Sequence, residues 1–357
     1  MNYSYHFPVV RGKQANREYY IAMVPLKMIS KLFPEDEEYV PPEFRAQRKL
    51  NEGRVPVIAK YILNNRDSYV FSALASSIDG DFSFESDNNS SDTGMLNVSM
   101  DARFLINDGQ HRKAAIIEAL KEDQSLGEET IPIVFFEDKG LARSQQIFTD
   151  LNKNAVKTSN SISELYDSRD SLAVVTRKVI QSIEFLNSYT DKEKDNLGKY
   201  SSNIFTLNTF YSANNYALGK KDAAPADELF LKRFWSLVVE HMPQWQEIMK
   251  KEVSKVEIRE KYIVTQGVVI QALGLLANSL KNVKADEMEN YLIGLETINW
   301  KRSARIWLMR AVGQNGRIIT NKKAVSLISN QIKKSIGIPL SSKESKLERE
   351  LKEMRKE

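Results

Sequence analysis

The sequence predicts an α+β protein: a mixed-sheet N-terminal domain, a mainly helical second domain and a short charged helical tail. Three observations carry this. Short apolar runs bounded by turn residues crowd the first 140 residues. Period-3.6 apolar stripes dominate after Ser159. The apolar share is 42% over 357 residues, enough for more than one core. The expected boundaries are 1–160, 161–340 and 341–357.

In chain order, Tyr19–Pro25 reads as a strand. Arg45–Asn64 carries Val55, Ile58, Ala59, Ile62 and Leu63 at helical spacing toward its end. Ser68–Ile78 reads as a strand. Asp79–Gly94, rich in Asp, Ser, Asn and Gly, reads as a loop or disordered insert. Leu96–Met100 and Phe104–Asn107 are strands, Arg112–Leu120 a helix, Ile131–Phe136 a buried strand and Leu141–Asn152 a helix. Beyond the boundary, Ser161–Asn187 is helical and amphipathic. Asp227–Lys250 has a stripe through Leu229, Phe230, Phe234, Leu237 and Val238. Tyr262–Leu280 is an apolar helix; its longest apolar run, Gly267–Leu280, is interrupted by Gln271 and too short to span a bilayer.

There is no cysteine, which excludes disulfides, thiolate zinc sites, iron–sulfur clusters and a thiol nucleophile. The start, MNYSYHFPVVRG, lacks the basic end and apolar stretch of a signal peptide. A cytoplasmic protein with no membrane partner is the expectation. The three histidines, His6, His111 and His241, form no paired-ligand motif, and no Walker phosphate loop is present. No metal ligand set is assigned; the acids Asp79, Asp81, Glu85 and Asp87 read as a solvated loop. His241, before Met242-Pro243 near a helix end, reads as structural.

Charge is segregated. The net charge is only +4, but Thr297–Lys343 holds ten Lys and Arg and no Asp or Glu. The other 310 residues hold 41 basic and 47 acidic side chains, a net of −6. Such a block makes a local positive field that attracts polyanions, double-stranded DNA first among them. Thr297–Val312 reads as a helix with Trp300, Ala304, Trp307 and Ala311 on one face. Gly313–Gly316 breaks it, and Asn321 caps a second helix running through Lys334. Lys301, Arg302, Arg305, Arg310, Arg317, Lys322 and Lys323 are the expected phosphate contacts; the two tryptophans read as core. In the tail, Ser341 and Glu344 make a capping box, and Leu347, Leu351 and Met354 a short seam. Docking, dimerisation and a solvated tail are all open for it, so a homo-oligomer is a candidate state.

The chemistry-bearing stretch is Phe104-Leu-Ile-Asn-Asp108-Gly-Gln-His-Arg112. A buried strand ends in Asn-Asp-Gly and a helix begins at once. Gly109 permits a sharp turn and close backbone approach. The N–H groups of a helix start favour an anion. Gln110, His111 and Arg112 add donors, and Arg112 can hold a phosphate with two parallel hydrogen bonds. Asp108 can cap the helix or hold a metal ion or water. A capped helix with a solvent-facing His and Arg explains the same residues.

Asp108-Gly-Gln-His-Arg112 resembles the motif of the DGQHR domain family. The likeness extends to Gln47-Arg48-Lys49-Leu50-Asn51 with Arg54-Val-Pro-Val-Ile58 and Tyr61 upstream. Downstream it includes Ile147-Phe148-Thr-Asp-Leu151-Asn152 and Ser159 to Leu165. The C-terminal Trp300, Trp307 and Gly316-Arg317-Ile318 resemble the DndB subgroup, found in DNA sulfur modification systems. The likeness implies a ParB/sulfiredoxin-like N-terminal fold in which the Gly109–Arg112 turn binds nucleotide or nucleic-acid phosphate, with Arg48 and Arg54 beside it. Asn152, at the end of a helix, either reaches the Gly109 turn or caps that helix. The likeness also implies a DNA-binding regulator that represses the modification operon. A nucleotide with Mg²⁺ is a candidate cofactor, and other proteins of the system are candidate partners. Gln110 stands where sulfiredoxins carry cysteine and cannot act as a thiolate. ParB proteins have Gly-Glu-Arg-Arg where this chain has Gly-Gln-His-Arg. Two alternatives stay open: a nucleotide-hydrolysing or DNA-nicking enzyme using Asp108 and His111, and a non-catalytic adaptor.

Overall fold

The computed structural model describes residues 3–34, 50–88, 90–137, 146–147, 149–151, 158–198 and 200–355. Arg48, Asn152 and most of the predicted Leu141–Asn152 helix lie outside them. The chain divides into two compact units, Met1–Val156 and Lys157–Glu357. The α+β class is as expected from sequence.

Unit one is built on a seven-stranded mixed sheet. Its strands are β1 (Ser4–Gln14), β2 (Arg17–Pro25), β3 (Leu74–Asp79), β4 (Phe82–Asp87), β5 (Ser90–Ser99), β6 (Arg103–Asp108) and β7 (Thr130–Glu137). The order is β4-β5-β1-β2-β7-β3-β6. Only β3 and β7 are parallel. Strands β1 and β2 turn through Ala15 and Asn16, both at positive φ (48° and 62°), the two-residue turn whose twist suits a hairpin. Strand β1 escaped the sequence reading because His6, Arg11 and Lys13 interrupt its apolar positions. Phe7, Val9, Leu74, Ile133 and Phe135 form the core face, against which pack Ala59 and Ile62 of the Val55–Asn64 helix and Ala115, Ile116 and Ala119 of the Gln110–Glu122 helix.

Two expectations for this unit need correction. The Asp79–Gly94 stretch is not a loop: it contains β4 and the start of β5. β4 is an edge strand, so its outward side chains are free to be polar. Its inward Phe82 and Phe84 alternate and meet the Tyr20 ring at 6.0 and 5.4 Å. The Ser68–Ile78 strand is shorter than expected, beginning at Leu74.

Unit two has one core, which includes all four tryptophans, each fully buried. At its centre the Gly267–Leu280 helix crosses the Leu207–Leu218 helix. A Cβ at Gly274 would lie 2.0 Å from the Ala213 carbonyl oxygen, so glycine allows the close approach. Pro243 splits the expected Asp227–Lys250 helix into Pro225–His241 and Pro243–Met249, and Leu229 is exposed rather than part of the stripe.

The Thr297–Val312 helix does not form. Only Arg305–Trp307 make a 3-10 turn. The Trp300 and Trp307 rings stack with centroids 5.3 Å apart. Seven residues of α-helix would separate them by about 10.5 Å along the axis. Their indole N–H groups donate to the Leu295 and Asn299 carbonyls at 3.1 and 2.7 Å. Burying both rings with satisfied N–H groups outweighs the helical pattern. The second helix is present, Lys322–Ser335, with Asn321 Oδ1 accepting from the Ala324 N–H at 2.8 Å.

One acid in this unit makes stability depend on pH. Glu164, in the Asn160–Tyr166 helix, has a buried carboxyl oxygen without a hydrogen-bond partner among the described residues. Burial, then repulsion from Asp195 and Asp170, pushes its pKa up to about 8. The folded chain then holds a proton that the unfolded chain has released, so folding stability falls as pH rises from the ordinary carboxylate range to about 8. Glu164→Gln is expected to flatten the loss of thermal stability between acidic and mildly alkaline buffer. Equal slopes for the two proteins would refute it.

Candidate nucleic-acid interface

The strand–turn–helix at Asp108–Arg112 forms as the sequence suggests. Strand β6 bulges against β3: Ser76 faces Ile106 and Ala75 faces Asp108, leaving Asn107 as the extra residue. Asn107 is fully buried and accepts a hydrogen bond from Ser77 Oγ at 2.8 Å. Asp108 thereby reaches the end of the strand. Gly109 follows at φ 98° as the N-cap of the Gln110–Glu122 helix and has no side chain with which to cap it. That helix start is the anion-favouring feature of the turn.

The side chains are more committed than the motif suggested. Arg112 Nη2 donates to Asp108 Oδ2 at 2.7 Å. Its Nη1 donates to the Ser72 and Ala73 carbonyls at 2.8 and 3.0 Å and to Ser72 Oγ. The guanidinium ties the turn to the chain entering β3, rather than reaching outward as a phosphate fork. His111 Nε2 accepts from the Asn51 backbone N–H at 3.1 Å, which in a neutral ring places the proton on Nδ1. The Asn51–Arg54 stretch thus lies against the turn. Arg54 is exposed; its backbone N–H donates to the Asn51 carbonyl at 3.0 Å, and its side chain makes no hydrogen bond or ion pair among the described residues. Among the described residues, no group of three or more His, Asp or Glu is placed to hold a metal ion.

In the basic segment Lys301, Arg305, Arg317, Lys322 and Lys323 are exposed, and Arg302 is half-buried with Nη2 on the Gly316 carbonyl at 2.5 Å. Arg310 differs. Its side chain is 4% exposed and grips Glu348 of the C-terminal helix, Ser342–Met354, at 2.5 and 2.6 Å. A surface phosphate contact from Arg310 in this conformation is therefore corrected to an internal ion pair. The same helix pairs Glu344 with Lys333 at 2.6 Å and Glu350 with Lys323 at 3.6 Å, and buries Leu351. Its capping box forms as expected.

A family model described as DNA-sulfur modification-associated matches residues 7–339, spanning both units. The chain belongs to this family, DndB. Neither a curated protein nor a solved structure matches it. Within this DndB chain, sequence reasoning missed three contributors. Ser72 anchors Arg112 through its backbone carbonyl, which no motif reveals. Ser77 reads as an ordinary polar strand residue until Asn107 is placed beside it. Glu348 lies outside the basic segment. Its signal is the spacing of Glu344 and Glu348, one helical turn apart after the capping box. Among the described residues no helix is long and apolar enough to cross a membrane.

Proposed function

We propose that the protein binds duplex DNA as a regulator of a DNA sulfur modification system, repressing the modification operon. Membership of the DndB family supplies the system. The single observation that carries DNA binding is the acid-free basic segment, whose Lys301, Arg305, Arg317 and Lys322 stand exposed. Phosphate contacts from these residues supply affinity and position but no sequence information. In this reading the ParB-like turn at Gly109 takes a backbone phosphate on the N–H groups of the helix start, with Arg54 beside it. Arg112 serves by fixing the turn.

Electrophoretic or fluorescence titration of the protein with its own operon's promoter, against scrambled duplex at several salt concentrations, tests the reading. The triple substitution Lys301→Ala, Arg302→Ala, Arg305→Ala is expected to flatten the log–log salt dependence by about 0.9 for each phosphate no longer neutralised. An unchanged slope with weaker binding would place the DNA elsewhere. Equal affinity for promoter and scrambled duplex would remove the regulator.

A further inference from the structure

A cleft of about 700 Å³ opens between the 309–319 loop, the start of the Lys322–Ser335 helix and Met354 of the C-terminal helix. Its charged lining is wholly cationic: Arg310, Arg317 and Lys323. Ile318, Ile319 and Leu327 give it an apolar floor. Three further features set it apart from an ordinary surface dent. Met309, on its wall, sits at φ 57°, a conformation that costs a non-glycine residue free energy. The Arg317 guanidinium makes no hydrogen bond or ion pair among the described residues, although Asn315 Oδ1 fixes its backbone N–H at 3.0 Å. Arg310 is almost fully buried, and its Nε, itself buried, has no hydrogen-bond partner among the described residues.

The charge of the lining bears on the ligand. Glu348 already meets Nη1 and Nη2 of Arg310, and the Nε is shut away from solvent, so Arg310 lends the cleft its charge rather than a contact. A cleft whose charged lining is wholly cationic, with the Arg317 guanidinium unpaired among the described residues, calls for an anion. The apolar floor and the volume suit the sugar and base attached to a phosphate. The C-terminal helix competes for the same cations. Glu348 holds Arg310, and Glu350 holds Lys323 at the cleft, across 3.6 Å with both side chains about half exposed.

We propose that this cleft is a nucleotide-phosphate site, filled by a unit of a DNA strand, and that Glu350 of the C-terminal helix is its built-in competitor. The proposal rests on the reading of duplex DNA as the partner; the bound chemistry, a phosphate carrying a sugar and base, is shared with a free mononucleotide. DNA reaches the site by taking Lys323 from Glu350 and adding to Arg317. No covalent step is involved.

The test uses the full chain with two substitutions at partly or fully exposed side chains, Glu350→Gln and Arg317→Ala. Each is titrated with promoter duplex across a salt series and, separately, with a deoxynucleoside 5′-monophosphate by calorimetry. Glu350→Gln is expected to tighten duplex binding about two- to fivefold, the scale of one exposed ion pair. It should also steepen the salt dependence by about 0.9. Arg317→Ala should weaken duplex binding and flatten that dependence by a similar amount. If the parent protein binds duplex and both variants match it in affinity and slope, the cleft is not the site while the DNA reading stands. If mononucleotide binds in an Arg317-dependent way and duplex does not, the phosphate site stands and its DNA role falls. If neither ligand binds any of the three proteins, the cleft and the DNA reading fall together.

Discussion

Gly109→Val is expected to destabilise unit one by about 2–5 kcal/mol, through two separate costs. The first is conformational. Gly109 sits at φ 98°, where a β-branched residue is strongly disfavoured. A left-handed backbone costs an L-residue about 1–2 kcal/mol. The second is steric. A Cβ there would lie 2.4 Å from Leu74 Cδ2, and Leu74 is fully buried at the start of β3, with little room to retreat. Overpacking of a tight core costs about 1–3 kcal/mol. The same Cβ would meet Arg112 Nε and Nη2 at 3.2 Å, so valine also presses on the group that ties Asp108 to Ser72 and Ala73. Chemical denaturation followed by a probe confined to unit one reads the loss. A change below about 1 kcal/mol would show that the turn can relax around a side chain, and that Gly109 is not held by the packing described.

That turn shows how far the sequence carries. Asn-Asp-Gly after an apolar strand fixes a sharp strand-to-helix junction, and the junction is there. The destination of Arg112 was not legible. Its partners are carbonyls of Ser72 and Ala73, about forty residues away in sequence, and any residue offers a carbonyl. The edge hairpin of β4 and β5 was hidden for a related reason: outward positions at a sheet edge tolerate any polar residue, so composition reads as loop while only Phe82 and Phe84 keep the period of two. In the basic segment the charge block was legible and its shape was not. Trp300 and Trp307, seven apart, fit a helical stripe as well as they fit a stacked pair. Tertiary burial of two indoles decided between them, and periodicity cannot report that. The starts of the Lys322–Ser335 and Ser342–Met354 helices were the most legible features in the chain. Asn321 and Ser341 satisfy backbone N–H groups three residues on, a local interaction written wholly in local sequence.

Glu348→Ala is expected to cost about 3–5 kcal/mol, the penalty for leaving a buried charge without its partner. The Arg310 and Glu348 side chains are 4% and 7% exposed, so neither has water to fall back on. Asn330 Nδ2 at 3.4 Å and Lys334 at 3.5 Å also face the carboxylate, and the Leu327 carbonyl takes one bond from Arg310 at 3.0 Å. Burial alone would raise the Glu348 pKa, but the hydrogen bonds and charge of Arg310, helped by Lys334, hold it below the usual glutamate value. The folded pKa therefore lies under the unfolded one. Its stabilisation is present above the unfolded value and is lost as pH falls through the folded one, so acid should weaken the docking of the Ser342–Met354 helix in the parent protein and not in Glu348→Ala. The loss in the variant has a ceiling. Once the penalty exceeds what holds the helix in place, the helix leaves and water reaches Arg310. Hydrogen exchange of the amides in 342–354 distinguishes the regimes: protection is lost locally in the second and falls with global stability in the first. A double substitution, Arg310→Met with Glu348→Leu, removes both charges and should recover most of the stability, giving a large coupling in the double-mutant cycle. A coupling near zero would mean that Glu348 contributes only as helix surface, and that Arg310 finds another anion or water when its partner is gone.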